Sequence, residues 1–203
     1  YFVIIQQEKN YEKITLNGKL AVLRSFFGTL YKEEVIAKNP TIRLKNIKVD
    51  VKSLRDHLTT EELEIVRNAC ICIREKALVE FLYSTGCRVS EILNINIKNI
   101  NWDSNSLEVH GKGDKYRTVY FSVKCKLYLK EYIASRNGES DVLFIGERKP
   151  YNSLKKTGIE KIIKKIGKRT NINKEIYPHI FRHSFATHAL QRGMDITIIQ
   201  QLL

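Results

Sequence analysis

The sequence contains no long apolar segment. No stretch approaches the roughly 18 consecutive apolar residues that a membrane-spanning helix needs. The opening residues, YFVIIQQEKN, lack the basic start and the small-residue cleavage site of a secretion signal. We therefore predict a soluble, cytoplasmic protein with no membrane partner.

Cysteine is scarce, with four residues in a chain of 203. None of the four has CxxC spacing, which predicts structural thiols in a reducing compartment. The histidines lack the HExxH arrangement of a zinc site, and the Walker pattern GxxxxGK[ST] is absent. The sequence therefore predicts neither a metal nor a cofactor.

Acidic residues are in deficit, since 22 Asp and Glu accompany 35 Lys and Arg and the net charge is +13 at pH 7. Such an excess of positive charge predicts a polyanionic partner, with nucleic acid first and an anionic membrane surface second. Residues 1–56 and the remainder of the chain are both basic, so both parts are expected to contact the polyanion.

Hydrophobic periodicity predicts a mainly α fold with a small antiparallel β-sheet. Two strands flank the sequence HGKGDKY, and a further short strand is predicted at 142–145. A mixed, basic segment precedes the helix-start signal TTEE, which places a linker there and a domain boundary near Arg55. Helices are predicted at 16–37, 60–69, 73–84, 88–94, 123–135, 153–168, across the stretch before Gly193, and from 195 onward.

The stretch HIFRHSFATHALQRG, residues 179–193, contains three of the five histidines and two arginines. Phe181, Phe185 and Ala189 recur every fourth residue, which predicts an amphipathic helix. His179 and Arg182 are three residues apart and therefore share another face. Each of these polar residues taken singly fits a solvated surface, whereas the cluster favours an anion-binding site.

Two other stretches place cations beside backbone features that attract anions. In STGCRVSEIL, residues 84–93, Gly86 permits a tight turn and Arg88 follows at a helix start, with Glu91 three residues on. In HGKGDKYR, residues 110–117, Lys112 lies between two glycines at a predicted hairpin. Taken alone, the first stretch is more simply an ordinary ion pair and the second a solvated hairpin tip.

The three stretches in this order resemble the tyrosine recombinases, the family of phage integrases and Xer recombinases. The resemblance begins near Asn17 and extends to the last residues. It implies that residues 1–55 are the C-terminal part of a helical core-binding, SAM-like domain with its linker, and that 56–203 are a catalytic domain incomplete at its C-terminus.

The resemblance also implies roles for individual residues in DNA cleavage and rejoining through a 3′-phosphotyrosine intermediate. Arg88 and Arg182 would bind the scissile phosphate, and Lys112 would give a proton to the leaving oxygen. His179 would hydrogen-bond the phosphate or accept the tyrosine proton, and Glu91 would support a neighbouring basic group. Two guanidiniums suit this chemistry because they bind phosphate oxygens bidentately and stay protonated.

Double-stranded DNA is the predicted partner, together with further recombinase subunits assembled on it. Besides the phosphate-binding residues, DNA contacts are predicted at Arg24, Lys115, Arg117, Lys168, Arg169 and His183. His183 could instead pack or support its neighbours, as is expected of His188.

The family's nucleophilic tyrosine is expected to follow the final Leu-Leu, and no tyrosine follows Tyr177 in this sequence. We therefore expect a site-specific recombinase whose present chain lacks its nucleophile. The alternative is a DNA-binding regulator with the same fold and no chemistry. A type IB topoisomerase relative is less compatible with the short spacing of the motifs.

Overall fold

The computed structural model describes residues 11–48, 56–111 and 116–203 of the chain. The chain divides into two compact units, residues 1–54 and 55–203. Within the described ranges no helix is long and apolar enough to cross a membrane. The architecture is mainly helical with one small antiparallel sheet, which confirms the predicted fold class. The assignment of residues 1–55 to a core-binding domain stays a prediction.

The described part of the first unit consists of helix α1 (Lys13–Lys32) and the segment that follows it. The helix ends before the predicted residue 37 because Glu34 adopts a left-handed conformation, with φ of 57°. The side chain of Asn17 donates to the main-chain oxygen of Ile47 at 2.9 Å and accepts from its N–H at 2.8 Å. This pair of bonds ties the following segment to the helix.

The second unit is built around helices connected by short loops. Two of them are shorter than predicted. The helix predicted at 88–94 ends at Ile92, because Ile95 accepts from the main-chain N–H of Leu143 in an extended pairing. The helix predicted at 153–168 begins at Lys156, because Ser153 forms an extended bridge with Ile145. The helices are α2 (Thr60–Asn68), α3 (Ile73–Thr85), α4 (Val89–Ile92), α5 (Val123–Ser135), α6 (Lys156–Lys168), α7 (Pro178–Gln191) and α8 (Ile196–Leu202).

A three-stranded antiparallel sheet in the order β1–β2–β3 follows α4. Its strands are β1 (Ile100–Asn101), β2 (Ser106–His110) and β3 (Tyr116–Tyr120). Leu107 pairs with Val119, and Val109 pairs with Arg117, which fixes the register of the hairpin. The apolar members of these pairs face the core, as the alternation predicts.

The strand predicted at 142–145 is wrong. This segment makes single bridges, Asn96 to Val142 and Ile145 to Ser153, and joins no strand of the sheet. Leu143, Phe144 and Ile145 are all buried. These three side chains are buried although they belong to a loop, and a continuous apolar run does not distinguish such a loop from a buried strand.

Helix α3 lies at the centre of the second unit and packs against α5, α6 and α7. Its residues Leu78, Phe81 and Leu82 are completely buried. The helix ends at Gly86, whose φ of 59° is the left-handed conformation that glycine adopts without strain. This turn delivers the next residues to the surface where the candidate site forms.

The cysteines of the described ranges are free thiols, and three of the four are buried. Burial raises the pKa of Cys70 and of Cys125 to about 12 and that of Cys87 to about 11. A thiol that stays protonated at neutral pH is a poor nucleophile. The observation agrees with the structural role that the sequence predicts.

Helix α2 begins with a capping box. The hydroxyl of Thr59 accepts from the N–H of Glu62 at 3.1 Å, and the Glu62 carboxylate accepts from the N–H of Thr59 at 2.8 Å. Two N–H groups that the helix leaves without partners are thereby satisfied. The predicted helix start is confirmed.

Replacing Thr59 with alanine should lower the free energy of unfolding by about 1 kcal/mol, because one of these N–H groups loses its acceptor. The matched control is Thr60→Ala, one residue later and equally exposed. Its cost should stay below about 0.5 kcal/mol. Urea unfolding followed by circular dichroism measures both variants, and equal losses would contradict the capping role.

Candidate catalytic site

Arg88 and Glu91 lie at the junction between α3 and α4. Arg88 occupies the position before α4, and Glu91 lies in its single turn. The Glu91 carboxylate accepts from the main-chain N–H of Arg88 at 2.8 Å and from its guanidinium at 2.9 Å. Local helix geometry therefore places the acid beneath the arginine, as the spacing of three residues predicts.

A second arginine completes the surroundings of Glu91. Arg117 of β3 donates from both terminal nitrogens to the two carboxylate oxygens, each at 2.8 Å. Burial by itself raises the pKa of Glu91, but the hydrogen bonds from Arg117 and Arg88 outweigh it and lower the pKa to about 2. The acid is ionised at neutral pH, and two arginines share its charge.

Arg182 approaches the same place from α7. Its guanidinium donates to the main-chain oxygen of Gly86 at 2.7 Å and to that of Leu203. Arg88 donates to the same Leu203 oxygen at 3.2 Å. The arginine pair, Arg88 and Arg182, thus converges on a single oxygen atom although the two residues are distant in sequence.

The site has an excess of positive charge. Burial, and after it the nearby charges of Arg88 and Arg117, lower the pKa of Arg182 to about 10. Among the described residues no Asp or Glu side chain forms an ion pair with Arg182. The guanidinium remains protonated at pH 7, so the arrangement is electrostatically incomplete without an anion.

His179 lies in the first turn of α7, on the surface beside the arginine pair. Partial burial lowers its pKa, and the charges of Arg182, Arg88 and Lys156 lower it further. The imidazole is therefore neutral at pH 7 and has one nitrogen free to accept a proton. It also lines a cavity of about 250 Å³ beside Lys156 and Tyr177.

The structure brings together four residues singled out from the sequence, namely Arg88, Glu91, His179 and Arg182. Lys112 and Lys115 lie outside the described residues, so their predicted positions stay predictions. His183 is half-buried on α7.

Other predicted DNA contacts differ in how many donors remain available. Lys168 is exposed at the end of α6. Arg169 donates to the buried carboxylate of Glu75 at 2.6 and 3.1 Å. Arg24, in the first unit, donates to Asn46 at 2.7 Å and to the main chain of Leu44. Only Lys168 of these three therefore has its charged group fully available.

Sequence reasoning missed two contacts. The pairing of Arg117 with Glu91 depends on how the hairpin lies against α4, and no local pattern predicts it. The Tyr83 hydroxyl lies 3.0 Å from Nδ1 of His188, which is buried. That environment agrees with the packing role expected of His188.

Comparison with known proteins identifies the class to which this fold and site belong. Residues 51–203 match the phage integrase family, and the chain belongs to that family. The resemblance derived from the motifs is thereby confirmed.

Several members of the class are similar over the whole chain. The tyrosine recombinase XerD of Oceanobacillus iheyensis is 32% identical, with all of this chain matching 71% of that protein. The tyrosine recombinase XerC of Leptospira interrogans is 34% identical, with all of this chain matching 68% of it. The present chain thus spans about 70% of the length of these relatives.

Solved structures show the same fold. The crystal structure of XerA recombinase is 28% identical with a TM-score of 0.67, and the match covers all of this chain and 71% of that one. The Tn1549 transposon integrase, solved with circular intermediate DNA, has a TM-score of 0.75 at 19% identity, covering 97% of this chain and 73% of that one. At that identity the second likeness concerns the fold alone.

Replacing Glu91 with glutamine should lower the free energy of unfolding by about 3 kcal/mol at pH 7, because two arginines lose a buried counter-charge. The pKa of Glu91 is lower in the folded than in the unfolded chain. The stabilisation is therefore present above about pH 4.5 and lost as pH falls toward 2.

Urea unfolding at several pH values measures this effect, with the exposed Glu131→Gln as control. The difference between the parent and Glu91→Gln should shrink below pH 4.5, while the control should follow the parent throughout. A difference that is independent of pH would contradict the ionised, arginine-bound state of Glu91.

Proposed function

We propose that this chain is the catalytic part of a site-specific recombinase that cleaves and rejoins double-stranded DNA through a 3′-phosphotyrosine intermediate. The observation that carries the proposal is that Arg88 and Arg182, 94 positions apart in the chain, lie together: Arg182 donates to the main-chain oxygen of Gly86, two residues before Arg88, and the charge of Arg88 contributes to the lowered pKa of Arg182. Family membership supports it, because the similar proteins XerD and XerC are tyrosine recombinases.

The arginine pair suits the charge changes of phosphoryl transfer. As an oxygen nucleophile attacks, negative charge accumulates on the non-bridging oxygens of the phosphate. Guanidiniums that the fold already holds together stabilise that charge without rearrangement. We assign Arg88 and Arg182 to the non-bridging oxygens of the scissile phosphate.

His179 and Lys112 are assigned to proton movements. A neutral imidazole beside the phosphate can hydrogen-bond it or take the proton from the attacking hydroxyl, and the lowered pKa of His179 keeps it neutral. Lys112 would give its proton to the departing 5′ oxygen. Glu91 holds Arg88 in place, and its low pKa makes it a weak base with no proton to donate at neutral pH.

The attacking oxygen in this scheme belongs to a tyrosine. The family resemblance implies a position after Leu203, so the reading frame beyond that codon is the place to look for it. A tyrosine there would supply the nucleophile. A stop codon there would favour a DNA-binding regulator that has the same fold.

DNA binding beyond the scissile phosphate is assigned mainly to α6. Its isoleucines at 159, 162, 163 and 166 are buried, which leaves a lysine face in solvent. Lysines on such a face contact backbone phosphates through charge and carry no base specificity. Arg24, Lys115 and His183 are further proposed DNA contacts, and additional recombinase subunits are the proposed partners on DNA. The lysines of the exposed face are Lys161, Lys164, Lys165 and Lys168.

Binding to a duplex of arbitrary sequence should weaken steeply with salt. Each phosphate contact contributes about 0.9 to the slope of log K against log salt. The double variant Lys165→Ala/Lys168→Ala should therefore reduce the slope by about 2. Fluorescence anisotropy across a salt series measures it.

Lys98→Ala is the control for this experiment, because its amine already pairs with Asp141 at 2.8 Å. It removes positive charge from another surface and should leave the slope unchanged. Equal reductions from both surfaces would show that net charge, and not the α6 face, determines binding.

Arg182→Ala should reduce the rate of covalent protein–DNA complex formation by about a hundredfold or more, because its contacts matter most when charge develops on the phosphate. The assay uses the protein encoded by the complete reading frame and a nicked duplex whose site is selected from a random library by binding. Denaturing gels detect the complex.

Arg192→Ala, an exposed arginine at the end of α7, is the control and should cleave at the parent rate. DNA binding by Arg182→Ala should change by less than about tenfold. Full cleavage by Arg182→Ala would remove this residue from the proposed site.

A further inference from the structure

Arg117 has few donors left for a DNA contact. Its terminal nitrogens bind the two oxygens of Glu91, each at 2.8 Å, and its Nε donates to the main-chain oxygen of Leu202 at 3.0 Å. Only 16% of its side chain is exposed. The sequence predicts a DNA contact here, but the guanidinium is directed into the protein.

Glu91 connects Arg117 to Arg88. The same carboxylate that binds Arg117 accepts from the N–H and the guanidinium of Arg88, and it is only 2% exposed. The Arg88 side chain is 41% exposed, so its remaining donors reach solvent. Glu91 thus binds the largely buried Arg117 on one side and the partly exposed Arg88 on the other.

We infer that Arg117 is a positioning residue. It acts through Glu91 to orient Arg88 and to balance the charge of the acid, and it does not itself contact DNA. The inference rests on the proposed function, in which Arg88 binds the scissile phosphate. It adds a strand of the hairpin to the machinery that sets the geometry of the arginine pair.

Two physical effects support this role. A bidentate guanidinium fixes the plane of the carboxylate, and the carboxylate in turn fixes the direction in which Arg88 donates. Arg117 also supplies the second positive charge around Glu91. Without it, Arg88 alone would balance Glu91, so its guanidinium would be drawn toward the acid and away from the phosphate.

The test measures covalent complex formation at saturating DNA in the protein from the complete reading frame. Arg117→Ala should reduce the rate by at least about tenfold, because a displaced Arg88 no longer matches the transition state. In an Arg88→Ala background the same change should reduce the rate by less than about twofold, since its effect operates through Arg88. The salt dependence of DNA binding should stay that of the parent.

Arg67 offers a closely matched control. It forms a bidentate pair with buried Glu80 at 2.7 and 2.8 Å, and its side chain is likewise 16% exposed. Arg67→Ala should destabilise the fold to a similar extent, measured by thermal unfolding. It should nevertheless cleave at nearly the parent rate at temperatures where it remains folded.

Arg117→Lys decides the matter if Arg117→Ala does not fold. Lysine keeps the charge but cannot engage both carboxylate oxygens, so cleavage should still fall while the salt slope is retained. Cleavage by Arg117→Lys at the parent rate would overturn the inference.

Two further results would overturn it. One is a salt slope reduced by about 1 in Arg117→Ala, which indicates a lost phosphate contact. The other is independence from Arg88, in which Arg117→Ala reduces the rate in the Arg88→Ala background by the same factor as in the parent. Full activity of Arg88→Ala would remove the proposed function and this inference together, whereas an inactive Arg88→Ala beside a fully active Arg117→Ala would remove the inference alone.

Discussion

The candidate site depends on the ion pairs that the buried Glu91 carboxylate forms with Arg88 and Arg117. Like charges repel strongly where water is excluded, so Arg88 and Arg117 can lie close together only because an ionised acid lies between them. The acid belongs to the single turn of α4, and that turn is reached through the left-handed Gly86 at the end of α3. The central helix of the core, its terminating glycine and the charged surface are therefore parts of one arrangement.

The charge balance around Glu91 explains why an anion suits this place. One carboxylate is shared by Arg88 and Arg117, while Arg182 donates to main-chain oxygens. Burial, and after it the resulting surplus of positive charge, lower the pKa of Arg182 and that of His179. A phosphate would relieve the repulsion, and the neutral histidine beside it would be available for proton transfer. A single electrostatic condition thus supports both the binding and the chemistry that we propose.

Several features were predictable because they depend on residues close in the chain. The capping box of α2, the turn at Gly86 and the pairing of Arg88 with Glu91 involve contacts over three or four residues, and helix geometry fixes them. The extended segment at 142–145 was misassigned because its apolar run reports burial and not the neighbour that buries it. The pairing of Arg117 with Glu91 was not predictable either, since it spans 26 positions and basic residues on a hairpin usually face solvent.

The sequence alone determined the fold class, the helix faces and the three groups of cations, because each follows from local spacing and the chemistry of the side chains. The tertiary structure decided which groups meet. Arg182 reaches the Gly86 oxygen across 96 positions of the chain, and Arg117 reaches Glu91 across 26. Such contacts are set by how α7 and the hairpin pack against the end of α3, and packing is a property of the whole core that no local pattern contains.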